Sequence, residues 1–98
     1  SFNLRSVTAA TRVLVIGGGE GGEGVVRDML RDGTYLPIGI VDDDPRLARA
    51  RIHGVPVLGG IDDLAEIVRR RDTDIIIIAI PSASGAQMRR IVERCEAT

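Results

Sequence analysis

The stretch that decides the fold is Val13-Leu-Val-Ile-Gly-Gly-Gly-Glu-Gly-Gly-Glu-Gly24, in which four apolar residues lead into six glycines and two glutamates. An unbroken apolar run that ends in glycine is typical of a parallel strand covered on both faces. Beyond the glycines, apolar residues recur at helical spacing over 21–32, and Gly33 stands where such a helix would end. The stretch therefore predicts a strand, a glycine loop and a helix in direct succession.

The rest of the chain continues this alternation of strands and helices. Apolar runs predict further strands at 36–41, 55–58 and 74–80, and helical patterns predict helices at about 62–71 and after Ser84. A connection with one helical turn is predicted between the second and third strands. Strands joined by helical crossovers form a parallel sheet with helices on both faces. We therefore predict an α/β fold, a Rossmann-like parallel sheet of about four strands in the order 3-2-1-4.

The same patterns set the expected limits of the domain. Residues 1–11 show neither helix nor strand periodicity, so we predict a tail or connector there and a Rossmann-like nucleotide-binding domain over 12–98. Pro56 lacks an N–H group, which predicts that the third strand lies at the edge of the sheet. A doubly wound sheet commonly has another strand after the last helix, so we expect a fragment of a larger protein.

Composition and charge exclude several classes of function. The chain has 98 residues, a net charge of −1 and no excess of basic residues, which argues against a nucleic-acid surface. All its basic residues except one histidine are arginines, so no lysine amine is present for catalysis. A single cysteine excludes an internal disulfide. The longest apolar run, 75–81, is far shorter than the roughly 20 residues that span a bilayer.

The glycine loop carries the main functional signal. Gly17, Gly19 and Gly22 match Gly-x-Gly-x-x-Gly, which is weak alone because glycine is so frequent here. Its position between a strand and a helix strengthens it, as does Asp42, twenty positions beyond Gly22 at the end of the second strand. The glycines would permit a tight turn, the approach of a pyrophosphate and close packing of helix on strand. Asp42 would accept hydrogen bonds from the ribose hydroxyls.

A second candidate surface follows the strand at 74–80, which is predicted to neighbour the first strand. Ligands bind in such sheets where the strand order reverses, so Ser82 and Ser84 would face the ligand there. Ser84 also has the spacing of a helix N-cap. No catalytic or metal-binding residue is predicted, and the candidate cofactor-binding residues are Gly17, Gly19, Glu20, Gly21, Gly22, Asp42, Asp43, Pro81, Ser82 and Ser84.

Charges near the loop bear on the identity of the ligand. Asp42 would repel a 2′-phosphate and favour NAD over NADP, whereas the nearby Arg46 could reverse that preference. Glu20 and Glu23 would each repel a pyrophosphate, by about 1 kcal/mol per close pair in water, unless they only complement the helix dipole. We expect NAD, with NADP, a nucleotide sugar or coenzyme A as alternatives, and an unoccupied Rossmann loop as the purely structural alternative.

Four motifs in order, VLVIGGGEGGE, PIGIVDDDP, RIHGVPVLGG and IAIPSASGAQMRRIVERC, resemble the amino-terminal Rossmann domain of CapD-type bacterial polysaccharide-biosynthesis proteins. That family comprises nucleotide-sugar epimerases and 4,6-dehydratases, and the resemblance covers roughly residues 12–98. It implies a cytoplasmic domain whose parent protein is anchored in the inner membrane by transmembrane helices. It also implies a partner within the parent chain, a separate catalytic domain of the short-chain dehydrogenase type.

The resemblance implies nucleotide binding rather than catalysis by this part of the protein. The family's catalytic tyrosine or methionine and its lysine belong to the separate domain, and here the only tyrosine is Tyr35. What carries over is nucleotide binding at the three fingerprint glycines and Asp42. The family loop often has alanines where Gly18 and Gly21 stand, so these two glycines look surplus to the fingerprint and add backbone freedom.

Three readings of the function remain open from the sequence. The first is a nucleotide-binding regulatory module, of which an NADH-sensing domain is a variant, since redox repressors share a similar GVPV and Pro-x-x-Ala layout. The second is half of an oxidoreductase, completed by another domain. The third is an assembly module with an empty site, whose apolar sheet edge pairs with a second copy to form a homodimer.

Overall fold

The computed structural model describes residues 9–98, and its elements follow the predicted alternation. The strands are β1 (Thr11–Ile16), β2 (Tyr35–Val41), β3 (Arg51–Ile52), β4 (Val55–Gly59) and β5 (Ile75–Ile78). The helices are α1 (Glu20–Asp32), α2 (Leu64–Arg70) and α3 (Gly85–Glu96), and single 3₁₀ turns occur at Pro45–Leu47 and Ile61–Asp63. Most of the predicted tail, residues 1–8, lies outside the described residues, and Thr11 already belongs to β1.

The strands form one sheet in the order β3-β4-β2-β1-β5. β1 pairs in parallel with both β2 and β5, and β2 pairs in parallel with β4. The predicted order 3-2-1-4 is therefore confirmed for the parallel part of the sheet. After β1, the chain adds β2 and then β4 on one side of β1. It then crosses to the other side of β1 and adds β5, so the strand order reverses between β1 and β5.

The sheet has one strand more than the sequence predicted. The two residues of β3 pair antiparallel with β4 through a hairpin whose turn residues, His53 and Gly54, both have positive φ, 52° and 82°. Such values are those of the tight two-residue turns that match the twist of a hairpin. A two-residue strand is too short for any periodicity to indicate it, and histidine is an uncommon first residue for this turn.

The prediction that Pro56 places its strand at the edge of the sheet is wrong, because β3 covers that side of β4. The N–H of Val57 donates to the carbonyl of Ala50 at 2.9 Å, on the β3 side. The alternation of the strand therefore turns the nitrogen of Pro56 toward β2. The β2–β4 pairs begin only at Ile40 and Val57, so the missing N–H falls at the start of the ladder, where proline is tolerated.

The sheet is covered by α1 on one face and by α2 and α3 on the other. Val26 and Met29 of α1 pack on one set of strand side chains, and α2 and α3 pack on the alternate set. Because successive strand residues point to opposite faces, the run Val13 to Ile16 of β1 is buried throughout, with no exposure at any of its side chains. The predicted α/β fold with helices on both faces is confirmed.

Two local predictions need correction. The helix predicted over about 62–71 begins only at Leu64 and ends at Arg70, because the chain before it forms a 3₁₀ turn in which Asp63 accepts a hydrogen bond from the N–H of Gly60 at 2.9 Å. Glu66 pairs with the arginines of its own helix. β5 ends at Ile78, two residues earlier than predicted. Across residues 9–98, no helix combines the length and the apolar character needed to cross a membrane.

Candidate functional site

The glycine loop leaves the carboxyl end of β1 and turns directly into α1. Gly17 has a φ of 115°, which side chains disfavour, and a Cβ there would lie 2.6 Å from the carbonyl oxygen of Ala79. A Cβ on Gly22 would overlap the carbonyl oxygen of Gly17. The first and third fingerprint glycines are therefore required by the turn and by the close approach of α1 to β1.

The two glycines that looked surplus to the fingerprint lie in close packing, and at Gly21 that packing requires glycine. A Cβ on Gly18 would lie 2.8 Å from a methyl group of Leu47. A Cβ on Gly21 would lie 2.8 Å from both the carbonyl oxygen of Ala79 and the ring of Pro81. Distances below 3.0 Å require a neighbour to move, and here one of those neighbours is backbone. The loop is therefore held tightly between the 3₁₀ turn after β2 and the chain after β5.

Gly19 differs from the other loop glycines that precede or open α1. Its φ of −82° suits any residue, and no atom lies within 4 Å of a Cβ built there. Neither backbone conformation nor packing among the described residues requires glycine at this position. Gly19 is also the residue before α1, and no side chain caps that helix end. The first-turn N–H groups, which an α-helix cannot pair internally, are therefore left for a ligand or for water.

Asp42 lies at the end of β2 and is fixed by the backbone on both sides. Its Oδ2 accepts a hydrogen bond from the N–H of Gly18 at 2.7 Å, and its Oδ1 accepts one from the N–H of Asp44 at 2.8 Å. Each carboxylate oxygen can accept a second hydrogen bond. Asp42 can therefore accept a hydrogen bond from a ligand while it continues to hold the glycine loop against the end of β2.

An open cleft of about 520 Å³ lies outside the carboxyl ends of β1 and β5, where the strand order reverses. Ligands bind at this position in doubly wound sheets, and small-molecule sites have volumes of about 300–1,000 Å³. Most of the predicted residues line it, namely Gly17, Gly19, Glu20, Gly21, Asp42, Asp43, Pro81 and Ser82. The other two predicted residues, Gly22 and Ser84, are not among the lining residues.

Ser84 lies at the N-cap of α3, where it forms a reciprocal capping box with Gln87. The N–H of Gln87 donates to Ser84 Oγ at 3.2 Å, and the N–H of Ser84 donates to Gln87 Oε1 at 2.7 Å. This is the helix-capping alternative that the spacing allowed. Gln87 itself lines the cleft, so the cap fixes the orientation of a cleft residue.

Only one of the two loop glutamates faces the cleft. Glu20 is among the lining residues. Glu23 lies instead beside the β3–β4 hairpin, where its Oε1 is 2.7 Å from Nε2 of His53. That hydrogen bond, with the charge of Arg27 3.4 Å away, holds the pKa of Glu23 below its usual value. Of the two glutamates that were expected to repel a bound pyrophosphate, only Glu20 is therefore in a position to do so.

Arg46, which could have reversed the preference for an unphosphorylated ribose, lies outside the cleft. Its guanidinium pairs with Asp44, with Nη2 2.8 Å from Oδ2, and 88% of its side chain is exposed. The pairing lowers the pKa of Asp44 and raises that of Arg46. This cation is therefore held at the surface by the third aspartate of the Asp42–Asp44 run.

The cation that does line the cleft is Arg90 of α3, which the sequence reasoning missed. Its Nη1 lies 3.0 Å from Oδ2 of Asp43, and its Nη2 lies 2.9 Å from Oδ1 of Asp62. A hydrogen bond from the N–H of Ile61 and the pairing with Arg90 lower the pKa of Asp43. Asp43 and Arg90 are 47 positions apart, and no spacing in the sequence indicates that they meet.

The fold and the cleft together define a Rossmann-like α/β domain with a glycine loop and a ligand-sized cleft at the reversal of its sheet. The chain belongs to the CoA-binding domain family, which it matches over residues 3–98. This match includes most of the stretch that was predicted to be a tail or connector.

Two similar curated proteins act in polysaccharide biosynthesis. The chain is 34% identical over 92 residues to the probable polysaccharide biosynthesis protein EpsC of Bacillus subtilis, covering 92% of this chain and 15% of EpsC. It is 38% identical over 85 residues to the capsular polysaccharide biosynthesis protein CapD of Staphylococcus aureus, covering 84% of this chain and 14% of CapD. The resemblance to the CapD type is confirmed, and the chain spans about one seventh of the length of these relatives.

Solved structures bear out the fold. A UDP-D-quinovosamine 4-dehydrogenase from Vibrio fischeri superposes with a TM-score of 0.80 at 28% identity, over 90% of this chain and 71% of that one. A Rex-family repressor, RSP, in complex with NADH superposes with a TM-score of 0.69 at 24% identity, over 87% of this chain and 42% of that one. At that identity the second likeness establishes the shared fold alone.

Proposed function

We propose that this chain is a nucleotide-binding domain without catalytic activity of its own, and that it regulates a longer protein of bacterial polysaccharide biosynthesis. The observation that carries the proposal is Gly19. Gly17, Gly21 and Gly22 are explained by the turn or by backbone packing and Gly18 lies against Leu47, whereas a Cβ on Gly19 would have no atom of the described residues within 4 Å. A glycine that the fold does not need, at an uncapped helix start that borders a cleft, is suited to the close approach of a phosphate.

The proposed ligand is NAD. In this arrangement the pyrophosphate lies at the amino end of α1 beside Gly19, and the adenosine ribose lies against Asp42, which accepts hydrogen bonds from its hydroxyls. Asp42 and Asp43 both line the cleft, and two carboxylates disfavour a phosphorylated ribose. The NADH complex of the Rex-family repressor supports the choice only in that the same fold holds this ligand there. NADP, a nucleotide sugar and coenzyme A are the competitors to be measured against it.

No lysine, histidine or tyrosine is among the described residues that line the cleft, where the titratable groups are the carboxylates of Glu20, Asp42 and Asp43 and the guanidinium of Arg90. The chain contains no lysine, and its one tyrosine, Tyr35, begins β2. Since the cleft lies at the carboxyl ends of the strands, Tyr35 is separated from it by the length of β2, roughly 20 Å. These positions support a binding role rather than half of a catalytic site.

The activity of the longer protein is part of the proposal. The likeness to EpsC and CapD supports a parent that takes part in polysaccharide biosynthesis, and the likeness to the UDP-D-quinovosamine 4-dehydrogenase supports a nucleotide sugar as its substrate. We propose that the catalytic domain of this longer protein is of the short-chain dehydrogenase type. We also propose that the longer protein is anchored in the inner membrane and that the nucleotide-binding domain described here lies in the cytoplasm. The fraction of clefts that hold a nucleotide would then depend on the cytoplasmic nucleotide concentration, and this binding would regulate the catalytic domain.

Isothermal titration of the chain with NAD, NADP, a UDP-sugar and coenzyme A tests the proposal. We expect saturable heat with NAD at a Kd below about 1 mM, which corresponds to roughly −4 kcal/mol of binding free energy. A thermal shift with the same ligand should accompany it, because a ligand that binds only the folded state stabilises it. Absence of both signals with all four ligands at millimolar concentration would contradict the proposal.

An assembly role is the second candidate, and the edge of β5 is the observation that favours it. β5 consists of four isoleucines, pairs with β1 on one side, and has no partner on its other side among the described strands. Ile75 is 39% exposed and the other three are partly buried. An apolar open edge can pair with a strand of a second copy. Sedimentation equilibrium decides this point, since a monomer at all concentrations would exclude the homodimer.

A further inference from the structure

Arg90 is the sole cation among the residues that line the cleft, and both arms of its guanidinium are already engaged. Nη1 faces Asp43 at 3.0 Å and Nη2 faces Asp62 at 2.9 Å. Arg94, one helical turn further along α3, also faces Oδ1 of Asp62, at 3.0 Å. The four charges of this cluster cancel, so Arg90 presents no net positive charge to a ligand.

Asp43 is held in the position from which it neutralises Arg90. Its Oδ1 accepts a hydrogen bond of 2.7 Å from the N–H of Ile61, which leaves Oδ2 directed at Arg90. The adjacent Gly60 makes room for this arrangement, because a Cβ there would lie 2.5 Å from Oδ1 of Asp43. Asp43, which follows β2, therefore contacts both the chain after β4, through Ile61, and helix α3, through Arg90. These contacts form one wall of the cleft.

We propose that the Asp43–Arg90 pair determines which class of nucleotide the cleft accepts, by refusing a nucleotide whose ribose carries an additional phosphate. The inference rests on the proposed function, since it concerns the specificity of the same site. Asp43 is adjacent in sequence to Asp42, the residue proposed to hold the ribose, and Nη1 of Arg90 lies 3.0 Å from Oδ2 of Asp43 in the same cleft lining. A ribose phosphate would meet the charge of Asp43 while the nearest cation is occupied by that same carboxylate.

The pair also predicts how the preference can be reversed. Replacing Asp43 with asparagine keeps an amide oxygen that can still accept from the N–H of Ile61, and turns an uncharged NH₂ group toward Arg90. One arm of Arg90 is then released, and the cluster gains a net charge of +1. A released arginine next to the ribose is the group that binds a phosphate with charge-assisted hydrogen bonds.

The test compares the dissociation constants of NADP and NAD, which differ by one ribose phosphate, on the 98-residue chain by isothermal titration. We expect the wild type to favour NAD. Asp43→Asn should lower the ratio of the dissociation constant of NADP to that of NAD about tenfold, which corresponds to one charge-assisted hydrogen bond. The double variant Asp43→Asn with Arg90→Gln should raise the ratio again by at least about threefold, because the released arginine is gone, without reaching the wild-type value, because the charge of Asp43 is still missing. Arg46→Gln is the matched control, since this arginine lies outside the cleft and should leave the ratio unchanged.

Each outcome decides the inference. An unchanged ratio in Asp43→Asn, or a ratio in the double variant equal to that of Asp43→Asn alone, overturns it while the proposed function stands. A wild type that binds NADP more tightly than NAD overturns it as well. If the wild type binds neither nucleotide, the proposed function fails and the inference fails with it. Should Asp43→Asn not fold, Asp62→Asn releases the other arm of Arg90 from outside the cleft, and must shift the ratio in the same direction.

Discussion

Replacement of Gly19 with alanine separates the ligand role of the glycine loop from its structural role. A methyl group there has no atom of the described residues within 4 Å, and the φ of −82° is compatible with alanine. Loss of the glycine preference at a helix N-cap costs about 0.5–1 kcal/mol. Restriction of the unfolded chain stabilises the protein by about 0.4–1 kcal/mol. The two effects offset each other, so the free energy of unfolding should change by less than about 1 kcal/mol.

Ligand binding should respond to the same methyl group much more strongly. Gly19 lines the cleft at the start of α1, so the new side chain occupies the space that a phosphate needs. Displacing the phosphate from even one backbone N–H loses a hydrogen bond to a charged group, about 1.5–3 kcal/mol. The affinity for NAD should therefore fall by about 10- to 100-fold in isothermal titration.

Gly22→Ala is the matched control, because it adds the same methyl group three positions away. There the Cβ would overlap the carbonyl oxygen of Gly17. Overpacking of this kind typically costs about 1–3 kcal/mol or more, which lowers the Tm of a domain of this size by roughly 10 °C. The reasoning is refuted if Gly19→Ala binds NAD as the wild type does, or if it is destabilised as much as Gly22→Ala.

Three further predictions concern neighbouring residues. Asp42→Asn should lower stability by about 1–3 kcal/mol in urea denaturation, because the carboxylate accepts from the backbone on both sides, and should weaken NAD binding at least about tenfold. Ser84→Ala should cost about 1 kcal/mol of stability through the lost cap but leave the NAD affinity unchanged. Glu23→Gln should lower the urea midpoint relative to wild type at about pH 6, and this difference should shrink as the pH falls below 4.5, because the hydrogen bond with His53 lowers the pKa of Glu23.

The sign of the Glu23 effect follows from the direction of its pKa shift. Since the folded-state pKa lies below the usual 4.5, the ionised carboxylate stabilises the fold above that value, and the contribution is lost as the pH falls through the lowered pKa. A difference in urea midpoint between the two proteins that does not shrink below pH 4.5 would contradict this. For Ser84→Ala, a tenfold loss of NAD affinity would contradict a purely capping role and would indicate that Ser84 contributes to nucleotide binding. For Asp42→Asn, unchanged binding of NAD would remove Asp42 from it.

The parallel core of the fold could be predicted because its signals are local and repeated. The apolar run of β1, the helical spacing of α1 and the glycine that ends α1 are all visible within residues 13–33, and they specify adjacent elements. The hairpin that forms β3 escaped prediction because two residues cannot display a period and because its turn is His53–Gly54. The prediction that the strand of Pro56 lies at the edge of the sheet was wrong because β3, which the sequence did not indicate, pairs with that strand.

The candidate site divides in a similar way. Gly17, Gly22 and Asp42 could be identified from spacing, since the fingerprint describes a continuous unit of strand, turn and helix. The packing roles of Gly18 and Gly21 could not, because the groups that enclose them come from the 3₁₀ turn after β2 and from the chain after β5. Ser84 fitted both a ligand and a cap by sequence, and the structure places its hydroxyl on the backbone of Gln87.

By itself, the sequence determined the class of fold, the parallel strand order and the location of the glycine loop, because hydrophobic periodicity and glycine punctuation act over short distances along the chain. Only the tertiary structure decided which charges face the cleft. It turns Glu23 toward His53 and brings Arg90 against Asp43, across 47 positions of sequence. Such pairings depend on how elements on one face of the sheet approach the ends of its strands, and charged surface residues carry no periodic pattern that would indicate it.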